Sequence, residues 1–178
     1  MENMEKNTYV KTQLTAALLG LLEEKDLRDI SISEIASAAG VHRVSFYRNY
    51  REKEDVLREH MHAAYERWGR YHPEPEDQDG DEQIRRFFAY LEDNGAFFRL
   101  LQRRELLYLL KEMLLANTGP SPEFSNVIAY AAAFMANGIY GWTEEWFKRG
   151  MQESAEEIAF LLKQQREAQR PEGDGKIE

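Results

Sequence analysis

The sequence contains no cysteine, which removes disulfides and thiolate metal sites at once. It also lacks any apolar run approaching the ~20 residues needed to cross a bilayer, so no membrane partner is expected. The start, Met1 to Lys6, is polar and without the apolar centre of a secretory leader, and a cytoplasmic location is the expectation. Strand-type alternation is missing, as are a phosphate-binding glycine loop, a nucleophile elbow and a metal-binding helix motif. His60 and His62 stand two apart, which on a helix turns them away from each other and denies them a common metal. No catalytic residue, metal or cofactor is expected, and the chain does not read as an enzyme.

What the chain does contain is 178 residues with 43% apolar and 31% charged side chains, ordinary for a globular protein. That is enough for one domain or two small ones with a real core. The net charge of −9 argues against coating a polyanion with the whole surface. Between Val41 and Lys53, however, Arg43, Arg48, Arg51 and Lys53 face a single acid, Glu52, a local +3.

Apolar residues recur at three and four almost everywhere, which predicts an all-α protein. A first helix is expected over about Asn7–Glu24, with Val10, Leu14, Ala17, Leu18, Leu21 and Leu22 inward. Ser31 three before Glu34 is a capping-box pattern opening a helix over about Ile32–Ala39, and Gly40 then supplies a stop. A short helix over about Arg43–Asn49 follows, and a fourth starts near Lys53. His72–Asp81 reads as a loop. Further helices are expected over about Asp81–Glu92, Ala96–Ala116, Pro122–Arg149 and Glu153–Gln169, with Ser121 as cap and Pro122 in first position of the long one. That long helix is rich in alanine and glycine. Ala132, Met135, Ile139, Trp142 and Trp146 follow a three-four spacing along it, compatible with a bundle core or with a self-associating seam. The seam is taken as the expectation.

Residues 31–53 meet the demands of a helix-turn-helix, in which one helix enters the major groove and the other braces it. Ile35, Val41 and Phe46 can lock the pair, Ala36 allows close crossing and Gly40 permits the turn. Structural helical pairs imitate this pattern, so on these residues alone a helical interaction module blind to DNA stays open.

The run Ile35-Ala36, Ala39-Gly40-Val41, Ser45-Phe46-Tyr47, Tyr50 and Lys53-Glu54-x-x-Leu57 resembles the N-terminal signature of the TetR/AcrR family of bacterial transcriptional regulators. The likeness covers about residues 8 to 60. Asn94-Gly95-Ala96-Phe97-Phe98 and Gly138-x-x-Gly141-Trp142-x-x-x-Trp146 look like the family's shorter regulatory domains.

The resemblance implies a three-helix DNA-binding domain over residues 1–52, a helical ligand-binding and dimerisation domain over 53–170, and a disordered tail at 171–178. It implies a homodimer on a near-palindromic duplex, acting as a repressor that a small-molecule effector releases. Control by a protein partner, or activation, is the alternative. Position by position, Arg43 matches the family's base-reading site, Ser45 and Tyr47 match hydroxyls that meet phosphate or a thymine methyl, and Arg48 faces the groove or its rim. Lys53 matches a lysine that holds a phosphate, while Ser31 and Ser33 lie where the brace helix meets the backbone. His42 and Asn49 depart from the pattern, which often has serine and histidine there, and both are expected to tune the operator. Tyr50 is expected to pack under the fourth helix. For an effector cavity, Trp68, Phe88, Phe98, Tyr108 and Phe134 are the candidate lining.

Overall fold

The computed structural model describes residues 2–72 and 80–168. Residues 73–79, most of the expected loop, and the expected tail at 171–178 lie outside the described residues. Within them the chain forms α1 (Glu2–Glu24), a 3-10 turn (Leu27–Asp29), α2 (Ile32–Ala38), α3 (Arg43–Asn49), α4 (Lys53–Tyr71), α5 (Gly80–Asp93), α6 (Gly95–Arg103), α7 (Tyr108–Thr118), α8 (Asn126–Lys148) and α9 (Ala155–Ala168), and no strand.

Leucines four apart put a single stripe along α1, and Leu14, Leu18 and Leu22 are all fully buried. They join Ile35 of α2, Phe46 of α3 and Val56 and Leu57 of α4 in the core. Burying one such side chain contributes about 1.5–3 kcal/mol, so the stripe holds helices too short to persist alone. The same core continues along α4 through Met61, Ala64 and Trp68 to Tyr90 and Phe98. Tyr90 Oη donates to the Met61 carbonyl at 3.0 Å, and Trp68 Nε1 donates to Asp93 at 2.7 Å. α5 packs on α9, α7 on α8, and α4 touches α7.

Three expectations need correction. The helix foreseen over Ala96–Ala116 is two, α6 and α7, separated at Arg104–Leu107. Glu105 adopts φ 57° there, and the Leu106 N–H closes back on the Leu101 carbonyl at 2.8 Å. The long helix starts at Asn126 rather than Pro122, because Ser121–Phe124 closes a turn of its own through a Phe124 N–H bond to the Ser121 carbonyl. Finally, α1 begins at Glu2, a turn earlier than its apolar stripe announces.

Candidate nucleic-acid interface

The capping box is formed: the Ser31 hydroxyl accepts from the Glu34 N–H at 3.2 Å, and the Glu34 carboxylate accepts from the Ser31 N–H at 2.9 Å. Lys25 also bonds the Glu34 carboxylate. That Lys25 bond, followed by those from the Ser31 backbone and hydroxyl, lowers the Glu34 pKa to about 2. α2 ends in a turn where Gly40 takes φ +64° and the Val41 N–H reaches the Ala36 carbonyl at 2.9 Å. A side chain at Gly40 would meet the left-handed penalty of roughly 1–2 kcal/mol.

The turn delivers α3 with one side in the core. Phe46 is fully buried and Tyr50 nearly so, their rings 5.7 Å apart. Arg43, Val44, Tyr47 and Arg48 are exposed on the other side. Arg43 Nη2 donates to Tyr47 Oη at 2.9 Å and its guanidinium lies 5.3 Å from the centre of that ring. This contact pre-orders a long side chain that otherwise carries much rotamer entropy. Ser45 and Asn49 are half-buried at the edge, where the Asn49 amide donates to the Ser45 carbonyl at 2.8 Å. His42 stands at the N-cap of α3 with no side-chain cap bond, and Ser31, Ser33 and His42 are exposed.

Lys53, expected to hold a phosphate, has partners inside the protein. Its ammonium donates to the Ile30 carbonyl at 2.7 Å and to that of Leu27. These acceptors belong to the first residue of the 3-10 turn and to its C-cap, so two of the three ammonium donors are spent inside the protein. The first turn of α4 is closed by Asp55, which accepts from the Arg51 and Glu52 N–H groups at 3.0 and 3.2 Å. Arg58 bonds Glu52 at 2.6 Å, Asp55 at 3.1 Å and Glu112 of α7 at 3.0 Å. These bonds, that to Glu52 first, hold the Arg58 guanidinium in its charged form against partial burial.

In the C-terminal part, α4, α5, α7 and α8 border a half-open cavity of about 440 Å³ lined by Tyr65, Phe87, Met113, Asn117, Met135 and Ile139, among others. None of the five candidate lining residues belongs to it. Trp68, Phe88 and Phe98 are buried in the solid core, while Tyr108 is 39% and Phe134 71% exposed. Of the expected seam residues, Trp146 is buried within the protomer and the other four are half-buried. Met135 and Ile139 line the cavity, Trp142 packs on the core, Ala132 is half-buried, and Trp146 is buried beside Phe88 with its Nε1 bonded to the Glu153 carbonyl. A more exposed stripe of α8 lies about a third of a turn round the helix: Val127 at 77%, Tyr130 at 71% and Phe134 at 71%, continued by Gly138 and Gly141 with open space beside them. Both stripes are apolar at helical spacing, so periodicity alone does not say which one the protomer keeps. Val44 of α3 is missed by sequence reasoning because a valine in a helix reads as core; its signal is its place beside Arg43 and about half a turn from Phe46.

Two family models match the chain: "Bacterial regulatory proteins, tetR family" over residues 14–60 and "Transcriptional regulator C-terminal region" over residues 78–165. No curated protein matches it. Among solved structures, a TetR transcriptional regulator from Streptococcus agalactiae 2603V has the same fold, with a TM-score of 0.59 and 16% identity over 90% of this chain and 95% of that one. The helix-turn-helix, its cationic outer face and both matched segments agree: the chain belongs to the TetR family and is a DNA-binding transcriptional regulator, not an enzyme.

Proposed function

We propose that the protein is a homodimeric repressor that holds a near-palindromic operator and leaves it when a small molecule fills the cavity beneath α4. The observation that carries this reading is the outer face of α3, where Arg43, Tyr47 and Arg48 stand free of the core in a protein of net charge −9. Arg43 reads a guanine edge, which its planar fork fits at N7 and O6. Tyr47, Arg48 and Ser45 meet the groove and its rim. Ser31 and Ser33 meet phosphates from α2, and His42 and Asn49 adjust the choice of site. Lys53 acts mainly from inside, by holding the segment that leads into α2.

The partner for the exposed stripe of α8 is a second copy. Val127, Tyr130 and Phe134 form an apolar row that water penalises, and the glycines beyond them let a symmetry mate approach closely. Two copies so joined carry two α3 helices, and successive major grooves lie ~34–36 Å apart along the duplex.

Release follows from α4 reaching both places. Its first turn abuts α3, and Tyr65 near its other end lines the cavity. The size of the cavity suits a mostly apolar small molecule. A ligand that prefers one tilt of α4 shifts DNA affinity by the difference in its own affinity for the two tilts, typically 1–3 kcal/mol. The test is selection of duplexes from random-sequence DNA, with sedimentation of the complex. A twofold-symmetric site bound by two chains is expected; no selected sequence at low salt would overturn the reading.

A further inference from the structure

We propose that Arg104 is a positioning residue for DNA reading: it completes the C-terminus of α1 from outside and so fixes the angle at which α2 and α3 meet the duplex. A helix C-terminus carries unpaired carbonyls and the negative end of the helix dipole, which a cation normally offsets. The last turn of α1 has no basic residue of its own. The cation comes from beyond α6. Arg104 Nε donates to the Leu22 carbonyl at 2.5 Å, Nη2 to that of Glu23 at 2.7 Å, and Nη1 to the Asp26 carboxylate at 3.2 Å. One planar fork thereby spans the end of the helix and the first residue group beyond it, which the point charge of a lysine does not do.

A second observation lies in the turn that presents this side chain. Arg104 follows the last residue of α6, and Glu105 after it adopts φ 57°, a conformation that costs a non-glycine residue energy. Leu106 and Leu107, each 5% exposed, anchor the far side. Backbone strain of this kind persists where the surroundings impose it, and what it delivers here is the guanidinium to α1.

The gripped segment leads straight into the reading head. Asp26 precedes the 3-10 turn, Lys53 holds Leu27 and Ile30, and Ser31 caps α2. Residues 22–31 are therefore clasped between α6 on one side and α4 on the other. Loosening the α6 clasp leaves α2 and α3 folded but frees their angle. In a dimer, an unfixed angle becomes an unfixed distance between the two reading helices, so this inference rests on the dimeric reading above.

The experiment uses the full chain and a symmetric duplex that it selects from random-sequence DNA, together with duplexes carrying one base pair more or fewer between the half-sites. The parent is expected to favour the selected spacing. Arg104→Ala should cut that preference at least about fivefold, the low end of coupling between sites. Arg104→Lys should fall between the two, and Arg103→Ala, which removes only an exposed pair with Glu23, should match the parent. Should Arg104→Ala fail to fold, Arg104→Gln makes the same comparison. A residue that merely stabilises would lower affinity by one factor at every spacing, and that result, or no change, overturns the proposal. A parent without any spacing preference overturns the dimeric reading and this one together; a parent with it, matched by Arg104→Ala, overturns this one alone.

Discussion

Two helices turn a well-defined side away from the core, and they do so with opposite chemistry. α3 presents Arg43, Tyr47 and Arg48 around Val44; α8 presents Val127, Tyr130 and Phe134. A cationic face is solvated while it waits, and its contact with a polyanion is built on released counterions, so it weakens steeply as salt rises. An apolar face gains nothing from water and is indifferent or favourable to salt. The first is suited to a partner that comes and goes, the second to one that stays. A regulator needs both, and the difference between them is measurable.

The harshest way to break the comparison is to put charge on the apolar face. In the proposed dimer, Phe134→Glu places a carboxylate on each side of the twofold seam, where burial without a counter-ion is costly. The dimer dissociation constant should rise at least about a hundredfold, roughly 3 kcal/mol, with sedimentation equilibrium as the measurement and a lower operator affinity as its consequence. The helical circular dichroism should stay that of the parent, because Phe134 is 71% exposed in the protomer. A variant that remains dimeric at micromolar concentration would move the seam elsewhere.

Smaller effects separate the interior cation from the exterior ones. Lys53→Ala removes two charge-assisted bonds, to Leu27 and Ile30, and should cost about 2 kcal/mol in denaturant unfolding. Its DNA affinity should fall with the salt slope unchanged, whereas a phosphate contact would lower the slope by about one. Arg43→Ala should leave stability alone and lose about 1–2 kcal/mol of discrimination at a single symmetric pair of base positions. That loss is read from the sequences the variant selects. Exchange of these two outcomes between the residues would reverse their assignments.

The same division runs through what the sequence discloses. Ser31 with Glu34, Gly40 and the spacing of Ile35, Phe46 and Tyr50 are local signals, each decided within a few residues, and α2 and α3 lie where those signals put them. The break between α6 and α7 has no such mark. Gln102-Arg103-Arg104-Glu105-Leu106 contains neither glycine nor proline, and apolar spacing runs on through it. The turn is imposed by the burial of Leu106 and Leu107 and by the hold of Arg104 on α1, contacts some eighty residues apart in the chain. α8 is ambiguous for another reason. It has two apolar stripes, and only the packed protomer decides that Trp146 is kept while Phe134 is offered. Lys53 was legible as a cation of the interface and not as a clasp, because the carbonyls it serves are brought to it by the fold.

Acid offers the finest cut between the two faces. Glu34 closes the cap of α2 and bonds Lys25, with its pKa held at about 2 against an ordinary 4.5. A carboxyl whose pKa is depressed by folding stabilises fully above the unfolded value and loses that contribution as pH falls towards the folded one. The window therefore lies between about 4.5 and about 2. Glu34→Gln keeps an acceptor for the capping box but removes the charge, so the stability gap between parent and variant, followed by denaturant unfolding, should be widest near neutrality and close across that window. The row Val127, Tyr130 and Phe134 contains no carboxylate, so the contact proposed for it has no group of its own that titrates in that range. If the gap were constant from neutrality down to the bottom of the window, the Lys25 bond would contribute nothing through charge.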